Sequence, residues 1–116
     1  MLADIIDQHS GIVRSWNVSE FDRDGTNFRM KARVRFVDNS VLVIRQIVLG
    51  SSKYKYAYQW QDKHDRLIIR WDNAPHWKDL ETFPCHKHIS DNVNPLADSS
   101  GGDLTLVFAE IANKLH

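Results

Sequence analysis

The stretch Phe28-Arg29-Met30-Lys31-Ala32-Arg33-Val34-Arg35-Phe36-Val37 decides the fold. Apolar and cationic residues alternate in it with a period of two. Successive side chains of a strand point to opposite faces, so Phe28, Met30, Ala32, Val34 and Phe36 share one face, and Arg29, Lys31, Arg33 and Arg35 share the other. The result is an apolar surface backed by a cationic one. Asp38-Asn39-Ser40 then supplies turn chemistry, and Val41–Leu49 follows as a β-branched run expected to be more fully buried. Gly50-Ser51-Ser52 makes the next turn. Lys53–Gln61 alternates again, with Tyr54, Tyr56, Tyr58 and Trp60 on one face. A polar turn over Asp62–Asp65 leads into a further strand, Arg66–Asp72. Strands at this spacing with short turns read as an antiparallel meander.

Outward on the N-terminal side, Ile12, Arg14, Trp16 and Val18 alternate with polar residues, the pattern of a half-buried strand. Leu2, Ile5 and Ile6 have helical spacing, and Gly11 is placed to end that helix. On the C-terminal side, Asn73-Ala74-Pro75 breaks the sheet, because proline lacks the donor that a ladder needs. Residues up to about Ala97 read as loop or short pieces, and Ser99-Ser100-Gly101-Gly102 as a flexible joint. Leu104, Val107, Phe108, Ile111 and Leu115 mark one face of a C-terminal helix. Asp103 at its start and Lys114 near its end suit the helix dipole. The expected fold class is α+β: a curved antiparallel sheet, a meander of about five strands, packed with a C-terminal helix and a short N-terminal helix. Residues 1–116 read as a single domain.

The 116 residues are 42% hydrophobic, enough to bury a core without covalent staples. Cys85 is the one cysteine, which excludes an internal disulfide and a Cys-rich zinc site. No apolar run approaches the roughly 20 residues of a membrane span. Met1–Asp7 is acidic and has no long apolar stretch, so no secretory signal is expected and a cytoplasmic location is. Fifteen basic and fifteen acidic residues cancel. That balance argues against a protein that coats nucleic acid nonspecifically, and leaves room for a local basic groove.

Chemistry-bearing residues concentrate late in the chain. Arg70 and Asp72 are two apart on a strand and share a face. Pro75 fixes the strand exit, with His76 just beyond it. Pro84 stiffens the return before His86 and His88, and if that segment is extended these two imidazoles share a face. The three pieces Tyr54-x-Tyr56-x-Tyr58-x-Trp60, Arg70-Trp71-Asp72-Asn73-Ala74-Pro75-His76 and Thr82-Phe83-Pro84-x-His86-Lys87-His88 together resemble the TumE-type toxin family of toxin–antitoxin modules. The likeness is strongest from Tyr54 to His88, weaker from Lys31 onward and in the final helix. Trp77 and Cys85 depart from the family pattern, in which histidines often stand at those places, and no role is carried onto them. The resemblance implies a growth-inhibiting toxin and a cognate antitoxin protein as partner.

Histidine titrates near neutral pH, so one imidazole can take a ribose 2′-hydroxyl proton while another protonates the leaving 5′-oxygen. Given the toxin resemblance, this suggests a metal-independent endoribonuclease with RNA as substrate. His76 and either His86 or His88 are the acid–base candidates. Arg70 or Lys87 would stabilise charge on the phosphate, and Asp72 would orient a histidine or hold Arg70. Lys87, Tyr58, Arg33 and Arg35 are candidate substrate contacts. The blander readings stand beside these: the tyrosine stripe as sheet packing, the Arg29–Arg35 stripe as a solvated face, and Arg70–Asp72 as a surface ion pair. Two alternatives remain open. Asp72, His76, His86 and His88 form an O/N set that could hold a divalent metal for a metal-dependent nuclease. A noncatalytic toxin could instead occlude its target, with Trp60, Trp71 and Trp77 as anchors. No membrane association is expected, and a homodimer is a further option.

Overall fold

Strand β2 (Asn27–Phe36) carries the alternation into the structure: Met30, Ala32, Val34 and Phe36 are buried, while Arg29, Arg33 and Arg35 are exposed. The structure, a computed structural model, describes residues 2–50, 53–73, 86–89, 95–96 and 103–115, with 53, 86–89 and 95–96 as backbone alone. Helix α1 (Leu2–Gln8) precedes β1 (Val13–Asp24) and β2. Then follow β3 (Val41–Leu49), β4 (Lys53–Gln61), β5 (Leu67–Asp72), β6 (His86–Ile89), β7 (Pro95–Leu96) and helix α2 (Leu104–Lys114). The strands lie side by side in chain order, each pair antiparallel. This is the expected α+β meander, its five expected strands all present, extended by the two short strands β6 and β7. The sheet tapers along the chain. Its strands have 12, 10, 9, 9, 6, 4 and 2 residues in order.

Both helices pack on the same face of the sheet. Leu2 and Ile6 of α1, and Leu104, Val107, Phe108 and Ile111 of α2, join one core with the inward residues of β2 to β5. Phe108 meets Phe36 edge-on, ring centroids 6.0 Å apart, and lies 5.6 Å from the ring of His9 just after α1. Phe28, Met30, Val34 and Phe36 thus face the helices as the alternation requires, Phe28 at the margin. Asp103 caps α2, accepting the Thr105 amide at 2.9 Å, and Lys114 occupies the last turn. The flexible joint expected at Ser99–Gly102 lies outside the described residues.

The turns follow their residue chemistry. Gly25 holds φ +59 in the two-residue loop between β1 and β2, where a β-carbon would be strained. Asn39 takes φ +69 between β2 and β3. There Asp38 accepts both the amide and the hydroxyl of Ser40, and the buried Ser40 oxygen accepts the Trp60 indole N–H at 3.0 Å, tying the turn to the core. Between β4 and β5 the Asp62 carboxylate accepts the amides of Arg66 (3.0 Å) and His64 (2.8 Å). Those bonds, the Arg66 amide foremost, hold its carboxyl below the usual carboxylate range.

Two expectations need correction. β1 runs to Asp24 and does not stop near Val18, because register shifts at Arg14 and Ser19 break simple alternation. Val18 pairs with Ala32, yet Glu20 pairs with Lys31, so beyond the bulge the inward positions become odd-numbered and Phe21 falls opposite Met30. Nor is β1 half-buried: Val13 is partly covered and the rest of the strand is exposed, whereas β3 is, as expected, more fully buried than β2, with Arg45 and Leu49 exposed. Phe108→Ala should lower the unfolding free energy by about 3–5 kcal/mol, whereas Leu106→Ala, at an exposed position of the same helix, should change it by less than about 0.5 kcal/mol. Urea denaturation followed by circular dichroism measures both.

Candidate functional site

Both helices cover one face, and among the described residues no helix lies over the other, the open face of the sheet. Cross-strand register arranges it in rows. One row runs Asn17, Arg33, Val43, Gln59, Arg70, His88 across β1 to β6; the next runs Glu20, Lys31, Arg45, Ala57, Asp72, His86. Arg70 and Asp72 of β5 thus stand directly opposite His88 and His86 of β6. The four make a two-by-two block of positions. Residues directly opposite in an antiparallel pair have Cα atoms about 4.5–5.5 Å apart.

The described half of this block is a hydrogen-bonded cluster. Arg70 Nε donates to Asp72 Oδ2 at 2.9 Å, and Arg70 Nη1 donates to Gln59 Oε1 at 2.9 Å. Gln59 in turn donates to Gln61 Oε1 at 2.8 Å. The Asp72 side chain is only 5% exposed and that of Arg70 40%. A charge-assisted bond to a nearly buried carboxylate is more than the surface ion pair of the blander reading. It fixes the guanidinium while leaving part of it open to solvent. Beside the pair lies a depression of about 220 Å³, whose charged lining consists of Arg45, Lys55, Arg70 and Asp72. At its end the Asn73 side chain extends the β4 ladder, accepting the Tyr56 amide at 3.1 Å and donating to the Tyr54 carbonyl at 2.6 Å. A side chain thereby replaces the next backbone partner just before Pro75.

The other candidates separate. Arg33 belongs to the row of Arg70 on the open face, and Arg35 is two residues along. Lys87 pairs with Trp71, in the alternate row from Arg70 and Asp72. Tyr58 is fully buried on the helix side, so it is not placed to touch a substrate on the open face. It accepts a bond from Gln46 Nε2 at 2.7 Å, and shares one with the Tyr54 hydroxyl at 3.1 Å. Trp60 and Trp71 are also buried, 2% and 1% exposed, which removes them as interface anchors. The tyrosine stripe is a packing feature: the Tyr56 and Tyr58 rings stack with centroids 5.0 Å apart. His76, expected beside the block, lies with Trp77, Pro84 and Cys85 outside the described residues. Of the alternative metal set, Asp72 is the one described side chain, and its Oδ2 is already bonded to a guanidinium. Arg45, Lys55 and Gln59 were not singled out from the sequence. Arg45 was hidden inside a β-branched run. The signal that reveals it is register: a tight turn at Asp38–Ser40 sets Lys31 opposite Arg45.

An open sheet with a charged block at one end and two covering helices is the setting in which the comparisons fall. The family they indicate is one of toxins. A family model for toxin TumE matches residues 2–115, nearly the whole chain, and the chain belongs to that family. The match reaches well beyond the Tyr54–His88 motifs. No curated protein and no solved structure matches the chain. Among the described residues, no helix is long and apolar enough to cross a membrane.

Burial pushes the Tyr58 hydroxyl well above the ordinary tyrosine range, reinforced by the Tyr54 hydroxyl and offset in part by Gln46. Its folded-state value is raised, so its contribution to stability is complete below the unfolded value of about 10 and is lost as pH climbs above it. The unfolded chain releases this proton first. Wild type should therefore lose more stability than Tyr58→Phe between about pH 8 and pH 11. Urea midpoints against pH test this, and parallel profiles would contradict it.

Proposed function

We propose that this TumE-family toxin is an endoribonuclease that works without a metal, its catalytic centre at the Arg70–Asp72 end of the open face. The observation that carries the reading is the register of β5 and β6, with His88 opposite Arg70 and His86 opposite Asp72, beside a depression lined by further cations. One histidine, His76, His86 or His88, acts as base on the ribose 2′-hydroxyl. The 2′-oxygen attacks phosphorus as the bond to the 5′-oxygen breaks, and a second histidine protonates the leaving oxygen. The products are a 2′,3′-cyclic phosphate and a 5′-hydroxyl. Arg70, held by Asp72 and Gln59, meets the charge that builds on the phosphate oxygens. A preorganised guanidinium at Asp72 also favours this chemistry over a divalent ion there, because it already satisfies the carboxylate and repels a second cation. The cell is protected by a cognate antitoxin protein, and the site of action is the cytoplasm, where the RNA is.

The test is total RNA incubated with purified protein, with and without a chelator, and growth of cells expressing it with and without the antitoxin. His88→Ala and His76→Ala should each slow cleavage by about 100-fold or more and relieve growth arrest, with chelation without effect. His64→Ala should behave as wild type, since His64 sits exposed in the β4–β5 turn. Intact RNA at high protein concentration, or folded histidine variants as active as wild type, would refute the reading.

A further inference from the structure

The sheet sorts its residue types by face more strictly than burial requires. Every described aromatic residue of β1 to β5 occupies an inward register position, from Trp16 and Phe21 on β1 to Trp71 on β5. The open face of β1 to β5 has none. It carries Lys31, Arg33 and Arg35 on β2, Arg45 on β3, Lys55 on β4 and Arg70 on β5. Acidic residues on that face are Asp72, bonded to Arg70, and the β1 fringe, where Glu20 lies 3.7 Å from Arg29. Among the described residues no carboxylate is paired with Lys31, Arg33, Arg35, Arg45 or Lys55. A chain of net charge zero thus concentrates on one surface cations that no described carboxylate neutralises.

That surface is continuous with the candidate site. A hollow of about 270 Å³ is lined by Glu20, Arg29, Met30, Lys31, Arg45 and Ile47. Arg45 and Ile47 also line the depression that holds Arg70 and Asp72. Side chains on one face of a strand repeat about every 6.8 Å, and strands lie about 4.8 Å apart. The cations therefore cover about 14 Å along β2 and about 15 Å across to β5.

From this segregation we propose that the open face binds base-paired RNA by its sugar–phosphate edges, leading it into the Arg70–Asp72 end. Proteins that hold unstacked single strands offer aromatic rings to the bases. Among the described residues of β1 to β5 this face offers none. Duplex RNA presents phosphates and 2′-hydroxyls at its surface and is recognised mainly through them and through shape, which is what a cationic sheet without rings can contact. The proposal rests on the endoribonuclease reading for its biological sense, but it is tested by binding, not by cleavage.

The experiment measures binding of an RNA hairpin and of single-stranded oligouridylate of equal length to the full chain, over a salt series. His88→Ala serves as the cleavage-deficient background, and Arg33→Gln/Arg45→Gln as the test variant. Both substituted arginines are exposed, and circular dichroism checks that the fold is kept. The hairpin should bind more tightly than the single strand. The double variant should bind it more weakly and lower the slope of log affinity against log salt by about 2. Equal hairpin affinity and slope in the double variant would overturn the proposal. So would preference for the single strand. So would a double variant that binds the hairpin normally but escapes neutralisation by the antitoxin, which would assign the face to an acidic protein segment. If the hairpin binds as expected yet wild type never cleaves it or total RNA, the endoribonuclease reading fails and the binding face stands. If wild type and double variant cleave RNA with the same KM, the binding face fails and the endoribonuclease reading stands.

Discussion

One-sided cover of the sheet sets almost everything else. The helices have 7 and 11 residues, and they lie against a single face of the sheet. They can bury apolar side chains only where strand after strand turns them the same way. The contact of Phe108 with Phe36 marks the centre of that burial. A slip of one residue between β2 and β3 would send Val34 and Phe36 outward and bring Arg33 and Arg35 under the helix. The register is therefore strongly specified, and the opposite face must be polar. The fold does not require it to be cationic. Mixed charges would solvate it equally well, and β1 shows them, with Glu20 and Asp22 opposite Lys31 and Arg29.

The fold was legible where period and turn chemistry agreed. Phe28–Phe36 alternates without interruption, and Asn39 and Gly50 stand at turns with positive φ, so β2, β3 and β4 could be read directly. The end of β1 was not, because the bulge at Ser19 exchanges odd for even positions and the eye loses the alternation at Val18. β6 was readable only as a conditional. His86-Lys87-His88-Ile89 has almost no apolar contrast, and its strand conformation comes from pairing with β5. Local sequence does not encode a partner of that kind.

The site shows the same division. Arg70 and Asp72 are two residues apart on one strand, and their shared face followed from spacing alone. That His88 and His86 come to stand opposite them depends on how the chain returns after Pro75, which spacing cannot fix. Alternation also says that Tyr54, Tyr56, Tyr58 and Trp60 share a face without saying which one. The helices decide it, and with it the exclusion of Tyr58 from the open face. Arg45 shows the converse loss: a single charge within Val41-Leu42-Val43-Ile44 and Ile47-Val48-Leu49 looks incidental until its neighbours across the sheet are known.

The taper of the sheet has a consequence for how evenly the molecule resists opening. Each strand's partners are its neighbours in sequence, and among the described residues the strands shorten from 12 residues in β1 to 2 in β7. Resistance to local opening scales with what must be broken, and the two shortest strands sit at an edge with the least to break. Backbone amides should exchange with solvent slowest in the middle of β2 and β3, and faster in succession through β5, β6 and β7. Among the described residues, the histidine strand meets the long strands of the sheet through β5 and the two-residue β7 on its other side. By ladder length alone, the described part of that margin parts from the scaffold at lower cost than β2 or β3 does.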